Sequence, residues 1–185
     1  MNRREIIIEA ALQSFDATGE TAIEEIKQRS GASIGSIYHH FGGRDGVAAA
    51  LYIEILRGYQ AGLLRALEGS GSAEEGVGAL VRHHLRWVEG NPVRARYLLQ
   101  SGAARLATGD ELKQLNRGLA AAVAGWVEAQ PAIRPLRGEV FYAVVIGPAQ
   151  ELSRAWLGGR MQAPGQLEDE LAAAAWRAVR ADGPS

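Results

Sequence analysis

Four histidines stand in two adjacent pairs, His39-His40 and His83-His84, and neighbouring side chains on a helix point about 100° apart. A helix that holds a metal through two histidines places them at i and i+4, so this spacing suits a metal poorly. Cysteine is absent, which excludes disulfides, thiol nucleophiles and cysteine-ligated zinc. The chain also lacks a His-Glu-x-x-His run and a Gly-Lys phosphate loop. No enzymatic activity, cofactor or metal is expected. The residues whose types and spacing do suggest chemistry run from Thr21 to Arg44, where serines, a tyrosine, histidines and cations alternate with isoleucines.

Two short helices joined by a tight turn must position them. Ile23 and Ile26 are three apart and face one core. Gly31 stands where the first of the two helices has to end, and glycine takes the left-handed conformation there without steric cost. Ser33 is placed to cap the next helix. Ile34, Ile37 and Phe41 sit at i, i+3 and i+7, and at least two of them are expected to face inward. Gly35, Ser36, Tyr38 and His39 fall largely on other faces. A helix-turn-helix with a small, polar second helix is the shape that enters a DNA major groove.

Charge is consistent with this locally but not globally. The net charge is −1 and the isoelectric point is near 6.4, so a wholly basic coating is excluded and any nucleic-acid contact needs a local basic face. Residues 1–46 carry five basic and seven acidic side chains, a net −2. From Ile26 to Arg44, however, there is no acid, and Lys27, Arg29 and Arg44 supply +3. Phosphate can approach that stretch.

This segment resembles the TetR family of bacterial transcription regulators. Thr21, Ile26, Gly31-Ala-Ser33, Gly35-Ser-Ile-Tyr38, His40-Phe41 and Arg44-Asp45 follow the family's order, roughly Gly-Val-Ser-x-Gly-Thr-Leu-Tyr-x-His-Phe-x-x-Lys. Ala32 replaces the usual valine and Arg44 the usual lysine, which keeps the charge. The resemblance implies roles in binding a double-stranded DNA operator. Ser33 would meet phosphate or base edges, Gly35 would allow close approach, and Ser36 would enter the groove. Tyr38, Arg44 and Thr21 would reach phosphate, and His39 the backbone or a base. It also implies a homodimer on a palindromic operator, repressor action, and release by a small-molecule effector.

The remainder reads as helix throughout. Val47, Leu51, Ile55, Tyr59, Leu63 and Leu67 recur every four residues along one long helix. Thr21…Glu24, Ser72…Glu75 and Thr108…Glu111 fit capping boxes. An all-α fold of about nine helices is expected, near 3–18, 22–29, 33–40, 44–68, 73–90, 92–107, 109–130, 137–158 and 164–181, with Pro148 kinking the eighth. Residues 1–46 would form the DNA-binding domain and 47–185 the effector-binding and dimerisation domain, paired through its last two helices. Polar and aromatic residues amid apolar helices make His84, Trp87, Tyr97, Gln100, Trp126, Tyr142 and Glu151 candidate effector contacts. No apolar stretch reaches the ~20 residues that span a bilayer, and the N-terminus lacks a secretory core, so a cytoplasmic location is expected. The alternative is a helical small-molecule-binding or scaffold protein without operator binding.

Overall fold

A computed structural model describes residues 2–182, the side chain of Gln100 excepted. Among the described residues there are ten α-helices and two short 3-10 turns, and an isolated bridge between Ile133 and Arg180 is the one β pairing. The all-α expectation is met. The chain divides into two compact units, residues 1–57 with 93–113, and residues 58–92 with 114–185.

The first unit is built on α1 (Arg3–Thr18), α2 (Ile23–Ser30), α3 (Ile34–Phe41), the start of α4 (Arg44–Glu68) and α6 (Pro92–Gln100). Asn2 and Glu5 form a full capping box at the head of α1, a signal absent from the expected set. Ile7, Ala11, Ile26, Ile37, Val47 and Leu51 make the core, each no more than 1% exposed. Ser14 is fully buried, and its hydroxyl donates to the Glu20 carbonyl at 2.8 Å and accepts the Ala22 amide at 3.2 Å. One side chain of α1 thus satisfies the backbone of the short link into α2. The expected capping box at Thr21 does not form, because Ala22 is the N-cap of α2 and Thr21 is buried. α6 belongs to this unit through the Tyr97 hydroxyl, which donates to the Ala48 carbonyl at 2.9 Å, and through ion pairs of Arg96 with Asp16 and Arg94 with Glu9.

The second unit centres on α5 (Ala73–Gly90), against which α8 (Gly138–Val145), α9 (Gly147–Leu157) and α10 (Glu168–Val179) pack. Val77, Val81, Leu85 and Val88 of α5 are completely buried, as are Val145, Ala149 and Val179 on the packing helices. Arg82 pairs with Asp169, and Arg86 pairs bidentately with Glu168, along the α5–α10 edge. The expected helix 137–158 is broken rather than kinked. α8 stops at Val145 and α9 restarts at Gly147, with Pro148 in its first turn. Proline lacks the amide an interior position must donate and is tolerated there. The helix expected over 92–107 ends at Gln100, and Ala103–Arg105 form a 3-10 turn. α7 (Asp110–Glu128) starts at Asp110, so Gly109 rather than the expected cap Thr108 directly precedes it. Among the described residues no helix is long and apolar enough to cross a membrane.

Candidate nucleic-acid interface

The α2–α3 corner is set by three local devices. Gly31 ends α2 with φ at 64°, in the left-handed region. The Ser33 hydroxyl accepts the Ser36 amide at 3.1 Å and starts α3. Ile37, fully buried, anchors α3 to the core. Gly31-Ala-Ser-Ile-Gly35 also spells the Gly-x-Ser-x-Gly of a hydrolase elbow. That elbow needs a strand ahead of the serine; here a helix precedes it and the hydroxyl serves as a cap.

With Ile37 inward, the opposite face of α3 is open. Ser33, Gly35, Tyr38 and His39 are exposed and Ser36 is half-buried. A Cβ built on Gly35 would meet only the Ser33 hydroxyl, at 3.9 Å, so a flat surface can come close there. The Tyr38 ring lies across Gly43, 3.4 Å from where a Cβ would stand. Ile34 is 40% exposed, so Ile37 alone of the two fills the core. The i, i+3, i+7 pattern does not separate them, because Ile34 is the first residue of an eight-residue helix. Phe41 is half-buried under the Arg4 guanidinium, 5.7 Å from its ring centroid.

The three cations each face a carboxylate. Lys27 pairs with Glu24 at 3.3 Å, Arg29 with Glu25 at 3.1 Å, and Arg44 with Glu20 at 3.0 Å, all at exposed positions. The run of +3 is therefore locally balanced by acids outside it. Exposed pairs of this kind contribute about 0–1 kcal/mol, so each can open when a stronger anion arrives. Thr21 is 6% exposed.

Of the residues singled out as effector contacts, His84 and Trp87 meet at Tyr59 in the second unit, which also holds Trp126, Tyr142 and Glu151, whereas Tyr97 and Gln100 belong to the first. His84 is 2% exposed. Its Nδ1 accepts from the Tyr59 hydroxyl at 2.7 Å, and its Nε2 lies 3.2 Å from the Ser153 hydroxyl, which donates onward to the Ala149 carbonyl at 2.8 Å. Because Ser153 donates elsewhere, Nε2 carries the proton. Burial, with His83 alongside, lowers the His84 pKa to about 4, and burial raises that of Tyr59. Trp87 packs on the Tyr59 ring at 4.9 Å. Trp126 lies over Gly76, where a Cβ would collide with its ring. The Tyr142 hydroxyl is exposed and accepts from Gln150 at 2.7 Å. Glu151 is exposed near Arg154 and Arg160. Tyr97 is a core residue of the first unit, edge-on to Phe15 at 4.8 Å. Gln100 ends α6, and its side chain lies outside the described residues. A groove of about 520 Å³ at the end of α7, lined by Val127, Pro131, Ile133 and Leu136 among others, involves none of these side chains. In the sequence Tyr59 reads only as part of the apolar stripe of α4 and Ser153 is unmarked; their pairing with His84 is hidden because they stand 25 and 69 positions away from it.

Residues 7–51 match the sequence model of the bacterial regulatory proteins of the tetR family. No curated protein matches the sequence. Among solved structures, a TetR family transcription regulator from Marinobacter aquaeolei VT8 superposes with a TM-score of 0.78 at 17% identity, covering 97% of this chain and 96% of that one. The chain has the TetR-family fold. The fatty acid degradation regulator FadR from Bacillus halodurans is similar at a TM-score of 0.77 and 17% identity, over 95% of this chain and 99% of that one. FadR from Bacillus subtilis, in complex with stearoyl-CoA, is similar at 0.75 and 14%, over 95% and 98%. The resemblance read from the α2–α3 residues is thus matched by the family model at the N-terminus and by the TetR fold across nearly the whole chain.

Proposed function

We propose that the protein is a homodimeric, effector-responsive repressor that sets α3 of each subunit into a major groove of a palindromic operator. The observation that carries this is the open face of α3: Tyr38 and His39 exposed, Ser36 half-buried beside them, Ile37 locked inward, with exposed Lys27 and Arg29 on α2 and Arg44 at the head of α4. Residues 1–46 do the DNA binding, and residues 47–185 bind the effector and dimerise. Two recognition helices must lie roughly one DNA turn apart, ~34 Å, which a two-fold dimer supplies. Half-buried Val144, Leu152 and Trp156 on α8 and α9, with Leu171 and Ala174 on α10, favour pairing through these last helices. The effector is taken up in the second unit among Trp87, Trp126, Tyr142 and the polar groups near them. It lowers operator affinity only by binding one of two conformations better. Long-chain acyl-CoA, the ligand class of the Bacillus subtilis neighbour, is the first effector to test.

The test is selection from a random double-stranded DNA pool, with Tyr38→Ala and Arg44→Ala run in parallel. An enriched inverted repeat, weakened in both variants, is the expected result. No enrichment at low salt from a folded protein sinks the proposal and leaves the alternative of a helical small-molecule-binding or scaffold protein. For the effector, operator must lower ligand affinity by the factor with which ligand lowers operator affinity.

A further inference from the structure

Among the described residues, four large apolar side chains are left exposed, and two of them, Ile34 at 40% and Tyr38 at 54%, stand one helical turn apart on α3. A lone exposed apolar residue needs no explanation; two on one face of an eight-residue helix do. Tyr38 is steadied on one side by Gly43. Ile34 stays 40% exposed, while the α2–α3 core is filled by Ile26, Ala32 and Ile37. Its neighbours in the first turn are Ser33, Gly35 and Ser36, so Ile34 is the bulkiest group that this end of the helix presents.

The composition of α3 narrows what such a group can recognise. Ile34–Phe41 contains no Arg, Lys, Asn, Gln, Asp or Glu. The bidentate hydrogen bonds that pick out guanine or adenine, and the carboxylate that picks out cytosine, are therefore missing from it. The one major-groove feature that an aliphatic chain recognises is the 5-methyl group of thymine. We propose that Ile34 reads a thymine methyl, so that each operator half-site holds one thymine whose recognition depends on that side chain. This rests on operator binding by α3, and it adds which base class is read and by which residue. It also assigns Ser36 and His39 the remaining hydrogen-bonded readout.

The experiment takes the operator enriched by wild-type protein and replaces each dT singly by dU, in both half-sites together. That change removes only the methyl group. Wild type and Ile34→Ala are titrated against every duplex at one salt concentration, and thermal melts of the two proteins establish equal folding. At one symmetric position, dU should weaken wild-type binding about fourfold per half-site, the effect of one buried methyl group. Ile34→Ala should bind the dT and dU duplexes equally at that position and keep wild-type sensitivity elsewhere. A flat dU scan in wild type overturns the inference, as does a position equally steep in both proteins. Failure to enrich any inverted repeat overturns operator binding itself, and Ile34's role with it.

Discussion

The same three side-chain types, serine, tyrosine and histidine, meet twice in this molecule with opposite consequences. On α3, Ser36, Tyr38 and His39 lie on a face open to solvent. In the second unit, Tyr59, His84 and Ser153 are at most 7% exposed and bonded in a fixed line from α4 through α5 to α9. A polar group in solvent keeps its hydrogen bonds with water and can trade them for a ligand. A buried one has given up water and holds its partners as a condition of folding. The first cluster is suited to recognition and the second to specifying a core, although composition alone does not distinguish them.

The largest effect that would break this contrast is the acid response of His84. The unfolded state takes up a proton near the ordinary histidine value of 6.5, the folded state only near 4. Stability should therefore fall as pH drops from 6.5 to 4 and level off below. The loss is about 3 kcal/mol from this group, and His83, whose pKa burial also lowers, adds in the same direction. Urea unfolding at stepped pH measures the slope, and His84→Gln should flatten it. A slope unchanged in that variant would mean that His84 is not held neutral. Next comes Tyr59→Phe, which strips the donor from a buried Nδ1 and should cost about 1–3 kcal/mol. Ser153→Ala should cost a similar amount. Tyr38→Phe on the open face should change stability by less than about 0.5 kcal/mol.

Smaller effects sharpen the other half of the contrast. Arg44→Ala should leave stability within about 0.5 kcal/mol, since the pair it breaks is exposed. It should weaken operator binding for every sequence alike and lower the slope of log affinity against log salt by about one per subunit. Anisotropy titrations over a salt series read both. A slope equal to wild type would remove Arg44 from the phosphate contacts.

What the sequence made legible follows from range. The first five helices fall within a residue of their expected bounds, because each carries its own periodicity and end signals within a few positions. The helix over 137–158 was harder. A proline compatible with either a kink or a restart gives no local basis for choosing, and the structure chooses the restart at Gly147. Thr21 looked like a cap because its hydroxyl precedes Glu24 at the right spacing, but the link it belongs to is already satisfied by Ser14, eight residues before Ala22. For the α3 face, one-turn spacing identified Ser36, Tyr38 and His39 as lying off the core, and they do. It could not say which isoleucine would be left out, since that depends on how much of the core Ile26 and Ala32 already fill.

The same limit hid Glu20, and it supplies the smallest and most discriminating test. Reading Ile26 to Arg44 as a stretch free of acids treats the cations as available, whereas Arg44 is held by a carboxylate 24 positions earlier, at 3.0 Å. In the proposed operator complex a phosphate at Arg44 would have to displace Glu20 or bind beside it, so Glu20 would oppose binding electrostatically while adding little to the fold. Glu20→Gln should strengthen operator binding about two- to threefold at low salt, with stability unchanged within about 0.5 kcal/mol. The gain should shrink as salt screens the charge. In the Arg44→Ala background the same substitution should do markedly less, because its effect runs through the guanidinium. Equal gains in both backgrounds would mean that Glu20 acts on the phosphates directly, through the net −2 of residues 1–46, and that Arg44 is not the group it restrains.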